Sequence, residues 1–246
     1  MAISTNAIFH FTNSIEVLES ILLEGFRIKY CMEILHLGVG FSKMAHPMVS
    51  FCDIPLSMCK NHIEHYGGYG IGLKKEWAFN NKINPVLYID RHSVIAESLH
   101  KLLKHDTIVD KNSSANKNII MLKCCMKNYS GELIRSGEED KNYRFYDERE
   151  WRFIPDKDND KKFKACKSSI SLHLDDYTKN KEKYNSQVSS YRLRFSPNDI
   201  EYILINSKDE CSIIIDFLRK RYACTSEELN ILFSKIRTIQ ELKYDF

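Results

Sequence analysis

Tyr146-Asp147-Glu148-Arg149-Glu150-Trp151-Arg152-Phe153 reads as a β-strand. Alternate side chains of an extended chain project to opposite faces, so Tyr146, Glu148, Glu150 and Arg152 share one face. Asp147, Arg149, Trp151 and Phe153 share the other, where Trp151 and Phe153 anchor the strand on a core. Two carboxylates, Glu148 and Glu150, then look into the space opposite. Mixed charges on a strand also describe a solvated face whose cross-strand pairs are each worth a fraction of a kcal/mol. What sets this stretch apart is a second short strand far upstream, Phe9-His10-Phe11-Thr12, which carries a polar ring among aromatics and can face the glutamates.

With 246 residues, 43% of them hydrophobic, the chain can fill a sizeable core, and a single α+β domain over 1–246 is expected. A formal charge of +3 permits a nucleic-acid partner without requiring one. Cysteines stand at 31, 52, 59, 124, 125, 166, 211 and 224, the start lacks a signal-peptide pattern, and no apolar run is long enough to cross a bilayer. The expectation is a cytoplasmic protein with reduced thiols and no membrane partner, in which the Asn-x-Ser matches at Asn112 and Asn128 carry no glycan.

In chain order, 7–11 reads as a strand, and Asn13 with Glu16 has capping-box spacing for a helix with Ile15, Leu18, Ile21 and Leu22 on one face, stopped by Gly25. The N-terminus of that helix favours an anion beside the loop after His10. A loosely patterned stretch follows, then a short strand over 48–52, a helix from Asp53 or Pro55 to about His65, and a strand at 69–73. The glycines of that strand admit a neighbouring backbone or a flat ligand. Pro85 to Ile89 reads as a strand, and 94–103 and 119–126 as helices around a polar loop at 106–118. Residues 138–142 and 156–164 read as charged loops, and 179–190 as an exposed connection. Strands at 191–195 and 202–205, a helix ending near Tyr222, a helix capped by Thr225 and Glu228, and a strand at 236–242 complete the chain. Strands and helices mix without strict alternation, which favours α+β over a doubly wound sheet.

Cys59, His62 and His65, with Cys52 nearby, approach zinc-ligand spacing, but the same positions describe a helix face packed on a sheet and no matching ligand pair is found. No metal is expected. Cys124-Cys125 reads as core. The nucleophile elbow, the dinucleotide fingerprint and the Walker spacing are all missing.

The stretch from His10 through Ile89, including Phe9-His10-Phe11-Thr12-Asn13, Val49-Ser50-Phe51-Cys52-Asp53-Ile54-Pro55-Leu56-Ser57 and Tyr66-Gly67-Gly68-Tyr69-Gly70-Ile71-Gly72-Leu73, resembles the AbiGi family of bacterial abortive-infection phage-resistance proteins. That family carries an antitoxin label, so the resemblance implies phage defence in a bacterial cytoplasm and a cognate toxin or antitoxin partner. At greater distance the order of motifs is similar to the ADP-ribosyltransferase fold, with a mixed, split central sheet and peripheral helices.

The second resemblance implies NAD as substrate, held by His10, Phe11, Thr12, Ser50, Phe51 and Tyr69, with His10 on the adenosine ribose and Phe51 or Tyr69 stacked on nicotinamide. Glu150 is then the catalytic carboxylate, with Glu148 orienting or deprotonating the acceptor and His10 completing the catalytic set. Breaking the nicotinamide–ribose bond creates an oxocarbenium-like centre that a fixed carboxylate stabilises. The leading expectation is an NAD-dependent ADP-ribosyltransferase acting on nucleic acid or protein. The alternative is a non-catalytic antitoxin that binds its toxin or represses their operon. A metal-dependent hydrolase built on Glu148 and Glu150 lacks a third acidic ligand.

Overall fold

The structure is a computed structural model that describes residues 4–106, 114–135, 138–156, 158–222 and 225–244. The chain is mixed α+β and groups into two compact units interleaved along the sequence. One comprises Met1–Arg27, Ser50–Ile83 and Arg192–Phe246; the other comprises Ile28–Val49 and Asn84–Tyr191. Asn112 and Cys224 lie outside the described residues.

The first unit is built on Ala7–Thr12, which pairs antiparallel with Tyr69–Lys74 from Ala7 opposite Lys74 to Thr12 opposite Tyr69. Tyr69–Lys74 pairs on its other edge with Ile200–Ile205, which in turn pairs in parallel with Ile236–Thr238. Ile8, Phe9, Ile71, Leu73 and Ile203 are buried, so these central strands are apolar on both faces. Gly72 fits between neighbours: an added Cβ would stand 2.7 Å from the Phe9 ring and 3.0 Å from that of Tyr202. The glycines of this strand therefore serve packing inside the sheet.

The helix Ile15–Glu24 buries Leu18, Ile21 and Leu22 as expected, but its cap is Ser14, whose hydroxyl accepts from Val17 N, one residue later than the Asn13 spacing suggested. Gly67 closes the helix Lys60–Tyr66 at φ +105°, where a Cβ would lie 2.3 Å from the Thr12 carbonyl oxygen. Gly67→Ala combines forbidden backbone with a backbone clash, so a loss of about 1–3 kcal/mol is expected in urea unfolding followed at Trp77.

Lys29–Leu37 and Gly40–Cys52 form a long hairpin closed by a two-residue turn at Gly38 and Val39, and its paired rows, from Leu37 opposite Gly40 to Lys29 opposite Met48, lie in the second unit. Leu172–His173 adds to the outer edge of the second hairpin strand at Ala45 and Met44. Glu150–Phe153 pairs with Asn84–Pro85, and Leu87–Ile89 runs parallel to Met126–Asn128. Leu35, Leu37, Ile89, Ala96 and Met126 form a small core, with Leu99 and Leu103 of the helix Val94–Asp106 against it.

Several expectations are corrected here. The stretch read as loosely patterned is most of the hairpin: Met32 and Ile34 are exposed while Leu35 and Leu37 are buried, so apolar residues on both faces hide the period of two. Of the stretch at 146–153 only Glu150–Phe153 is strand. Phe145–Glu148 is a 3-10 turn, and Arg149 turns left-handed at φ 43°. The loop expected at 138–142 is the strand Glu138–Tyr143, paired with Gly131–Arg135. Within 156–164, Asp160 caps a short helix, Lys161–Ala165, and the connection at 179–190 holds the helix Lys181–Gln187. Ile236–Thr238 gives way to the helix Ile239–Tyr244. The helix before Met126 begins at Ser114, inside the stretch read as a polar loop; 107–113 lie outside the described residues. Among the described residues no helix is long and apolar enough to cross a membrane.

Candidate functional site

The predicted site residues divide between the units: His10, Phe11, Thr12, Ser50, Phe51 and Tyr69 belong to the first, Glu148 and Glu150 to the second. In the first unit the His10 ring lies 2.8 Å from the Ser50 carbonyl oxygen through Nδ1. A carbonyl only accepts, so Nδ1 carries the hydrogen and Nε2 is the acceptor of the neutral ring. Burial lowers the His10 pKa, partly offset by this bond, and the ring meets Phe26 and Phe51 edge-on at 5.1 and 5.8 Å. Phe51 is buried among His10, Phe26 and Trp77. Phe11 is buried against His62, and Thr12 is buried beside it. Tyr69 Oη donates to Glu210 Oε1 at 2.6 Å, which with burial raises its pKa.

In the second unit the two glutamates converge although they do not share a strand. The turn ending at Glu148 and the left-handed Arg149 return the chain so that both carboxylates reach Lys127: Nζ lies 2.8 Å from Glu148 Oε2 and 3.0 Å from Glu150 Oε2. Arg152, two residues on along the strand, points the same way as Glu150 and donates Nε to Oε1 at 2.8 Å and Nη2 to Oε2 at 3.0 Å. The same guanidinium reaches Glu33 Oε1 at 2.6 Å and, through Nη1, the Cys124 carbonyl at 2.9 Å. Tyr143 Oη donates to Glu148, the Glu150 backbone N–H donates to Tyr88 Oη, and Lys127 Nζ stands 4.8 Å from the centre of the Phe145 ring.

Three carboxylates thus face two cations in a buried cluster. Burial works against the charged form of Lys127, but Glu150, Glu148 and Glu33 outweigh it and hold the ammonium above its ordinary pKa. Arg152, 1% exposed, is held charged in the same way by Glu150 and Glu33. Glu33 runs the other way: burial raises its pKa more than Arg152 and Lys127 lower it. The arrangement is a clamp, since every charge is spent on a neighbour inside the fold. Sequence alone offered Arg152, from the alternation with Glu150. It offered no signal for Lys127 or Glu33, which lie far away in a short strand and in the unrecognised hairpin.

A second buried polar pair lies in the same unit. His46 Nδ1 donates to the Ile170 carbonyl at 3.1 Å and lies 3.2 Å from Cys124 Sγ. Burial lowers the imidazole to about 4 and pushes the Cys124 thiol far up, so both are neutral. Cys59, on the helix weighed for zinc, is buried and hydrogen-bonds the Ile54 and Pro55 carbonyls, while His62 stacks on Tyr66 at 4.3 Å. Among the described residues no group of three histidine, cysteine or acidic side chains converges in a way that could hold a metal ion.

Geometry defines the class first: a mixed α+β protein whose acidic motif is neutralised within a buried ion cluster. The family model described as "Putative abortive phage resistance protein AbiGi, antitoxin" matches residues 25–206, and the chain belongs to the AbiGi family. It is similar to the abortive phage resistance protein AbiGi of Lactococcus lactis subsp. cremoris, 28% identical over 220 residues that cover 81% of this chain and 88% of that protein. No solved structure matches. The matched span contains Glu33, Lys127, Glu148, Glu150 and Arg152, whereas His10 and Thr12 fall before it.

Proposed function

We propose that this chain is a non-catalytic antitoxin of an abortive-infection pair and acts by binding its toxin. The observation that carries the reading is the clamp around Glu148 and Glu150. A carboxylate that stabilises a developing cation has to present its charge to substrate, and here Lys127 and Arg152 take up both groups. The family description, which names an antitoxin, supports the same reading.

The test is depletion of the chain in its source bacterium. Growth arrest is expected, with rescue by plasmid copies carrying the wild-type chain, His10→Ala or Glu150→Gln, at a temperature where circular dichroism shows the variants folded. Rescue by wild type alone would refute the non-catalytic reading.

One observation favours ADP-ribosyl transfer as a second reading. His10 has its Nδ1–H fixed on Ser50, and Nε2 has no partner among the described residues, which suits hydrogen bonding to a ribose. That reading takes NAD as substrate, with nucleic acid or protein as acceptor. Labelled NAD incubated with extracts of infected and uninfected cells should then mark an acceptor with the wild-type chain and not with Glu150→Gln. Equal labelling by both, or none by either, counts against it.

A further inference from the structure

We propose that the outer face of the hairpin formed by Lys29–Leu37 and Gly40–Cys52 is the toxin-docking surface, and that the toxin meets it with an apolar patch carrying a carboxylate opposite Lys43. The inference rests on the antitoxin reading and names the surface which that reading leaves open. Cross-strand register places Met32 beside Ala45, Ile34 beside Lys43 and His36 beside Phe41, in three successive rows on one face. Direct antiparallel partners project to the same side, so Met32, Ile34, Lys43, His36 and Phe41 form one patch that ends at the buried Ala45. Met32 is 57% exposed, Ile34 46% and Phe41 62%, and Val39 at the turn is 99% exposed. The opposite face has done its packing through Leu35 and Leu37. Together the exposed side chains present on the order of 500 Å² of apolar surface, at the upper end of what a monomer ordinarily shows and often functional at that size. With a polar rim it approaches the roughly 800 Å² per partner of a standard interface.

The edge of the sheet carries an independent mark. The backbone N–H groups of Tyr30 and His36 turn to the outer edge of the first hairpin strand and donate to the side chains of Asn185 and Asn128. The Tyr30 carbonyl accepts from Tyr177 Oη and that of His36 from Asn128 Nδ2. Met32 and Ile34 have the same parity and turn their backbone groups to the same edge, where among the described residues nothing meets them. Two donors and two acceptors are left beside the apolar patch, and exposed edge groups of this kind are ordinarily covered.

Charge selects the occupant. Lys43 is the sole charged side chain in the three rows, it lies 4.9 Å from the Phe41 ring centre, and no carboxylate of the described residues pairs with it. Burial lowers the pKa of His36, with Arg91 and Lys43 adding to the effect and Glu132 opposing it. Lys43 leaves a positive group at the middle of the patch, between Met32 and Phe41, with Glu132 acting only on His36 at its end. A heterologous partner with an acidic group gains from that charge.

The experiment uses the depleted source bacterium and plasmid copies carrying Phe41→Asp, Lys43→Glu or, as a control at an exposed apolar site elsewhere, Val17→Asp. Growth arrest on depletion is expected, with full rescue by wild type and Val17→Asp and at least a 100-fold drop in colonies for Phe41→Asp and Lys43→Glu, whose urea midpoints stay at the wild-type value. Full rescue by both hairpin variants would overturn the docking surface and leave the antitoxin reading standing. No arrest on depletion would overturn the antitoxin reading, and the toxin as occupant with it. Sedimentation of the purified chain as a dimer that Phe41→Asp converts to monomer would assign the face to a second copy and overturn the proposal.

Discussion

Arg152→Met is expected to destabilise the second unit by about 3–5 kcal/mol, the usual result of removing one partner from a buried ion cluster. Methionine fills much the same volume, so the loss is electrostatic: Glu33 and Glu150 remain inside the protein without the guanidinium that bonds both, and the Cys124 carbonyl loses its donor. Against a typical total of about 5–15 kcal/mol this is a large fraction. The chain has two tryptophans, Trp77 in the first unit and Trp151 in the second. In a Trp77→Phe background the urea transition seen by fluorescence therefore belongs to the second unit. The triple change Glu33→Met, Glu150→Met, Arg152→Met should recover much of the loss, because an apolar replacement leaves no buried charge unpaired. A midpoint for Arg152→Met equal to wild type would show that the cluster is solvated in solution.

Acid should weaken the same unit through His46. The native imidazole sits at about 4, below its ordinary value of 6.5, so as pH falls from 6.5 to 4 the unfolded chain takes up a proton that the native chain does not. Stability is complete above the unfolded pKa and is lost as pH falls toward the folded one, by about 3 kcal/mol across the window at 1.36 kcal/mol per pKa unit. Glu33, with its native pKa raised by burial, works in the opposite sense: the native state gains as pH falls toward the ordinary carboxylate value of 4.5. The difference between wild type and His46→Gln isolates the histidine. Urea midpoints measured between pH 4 and 7 should slope less in the variant; parallel slopes would mean that His46 titrates in the native state as it does in the unfolded chain.

What the sequence made legible follows from how each signal arises. Ala7–Thr12, Tyr69–Lys74 and the Thr225–Glu228 capping box were readable because their patterns are local, a run of aromatics, a Gly-punctuated apolar run and a fixed spacing. The hairpin was hidden because it is apolar on its exposed face too. Glu148 and Glu150 were singled out together, and the structure does bring them together, but by a turn at Arg149 where alternation along a strand was expected. Arg152 was legible on the same face as Glu150, but Lys127 and Glu33 were not, since partners drawn from such distant positions depend on tertiary contacts that no short motif encodes. The AbiGi resemblance was readable from the segments between His10 and Ile89, and the family model bears it out.

The interleaving of the two units has a consequence for biosynthesis. Ala7–Thr12 leaves the ribosome well before Ile200–Ile205, which its sheet needs and which is made only after the whole second unit. At about 5–20 residues per second that wait is on the order of ten seconds or more. Throughout it Phe9 and Phe11 have no completed core to enter, so a ribosome halted before Arg192 holds a chain whose earliest segment is still exposed to chaperones and proteases.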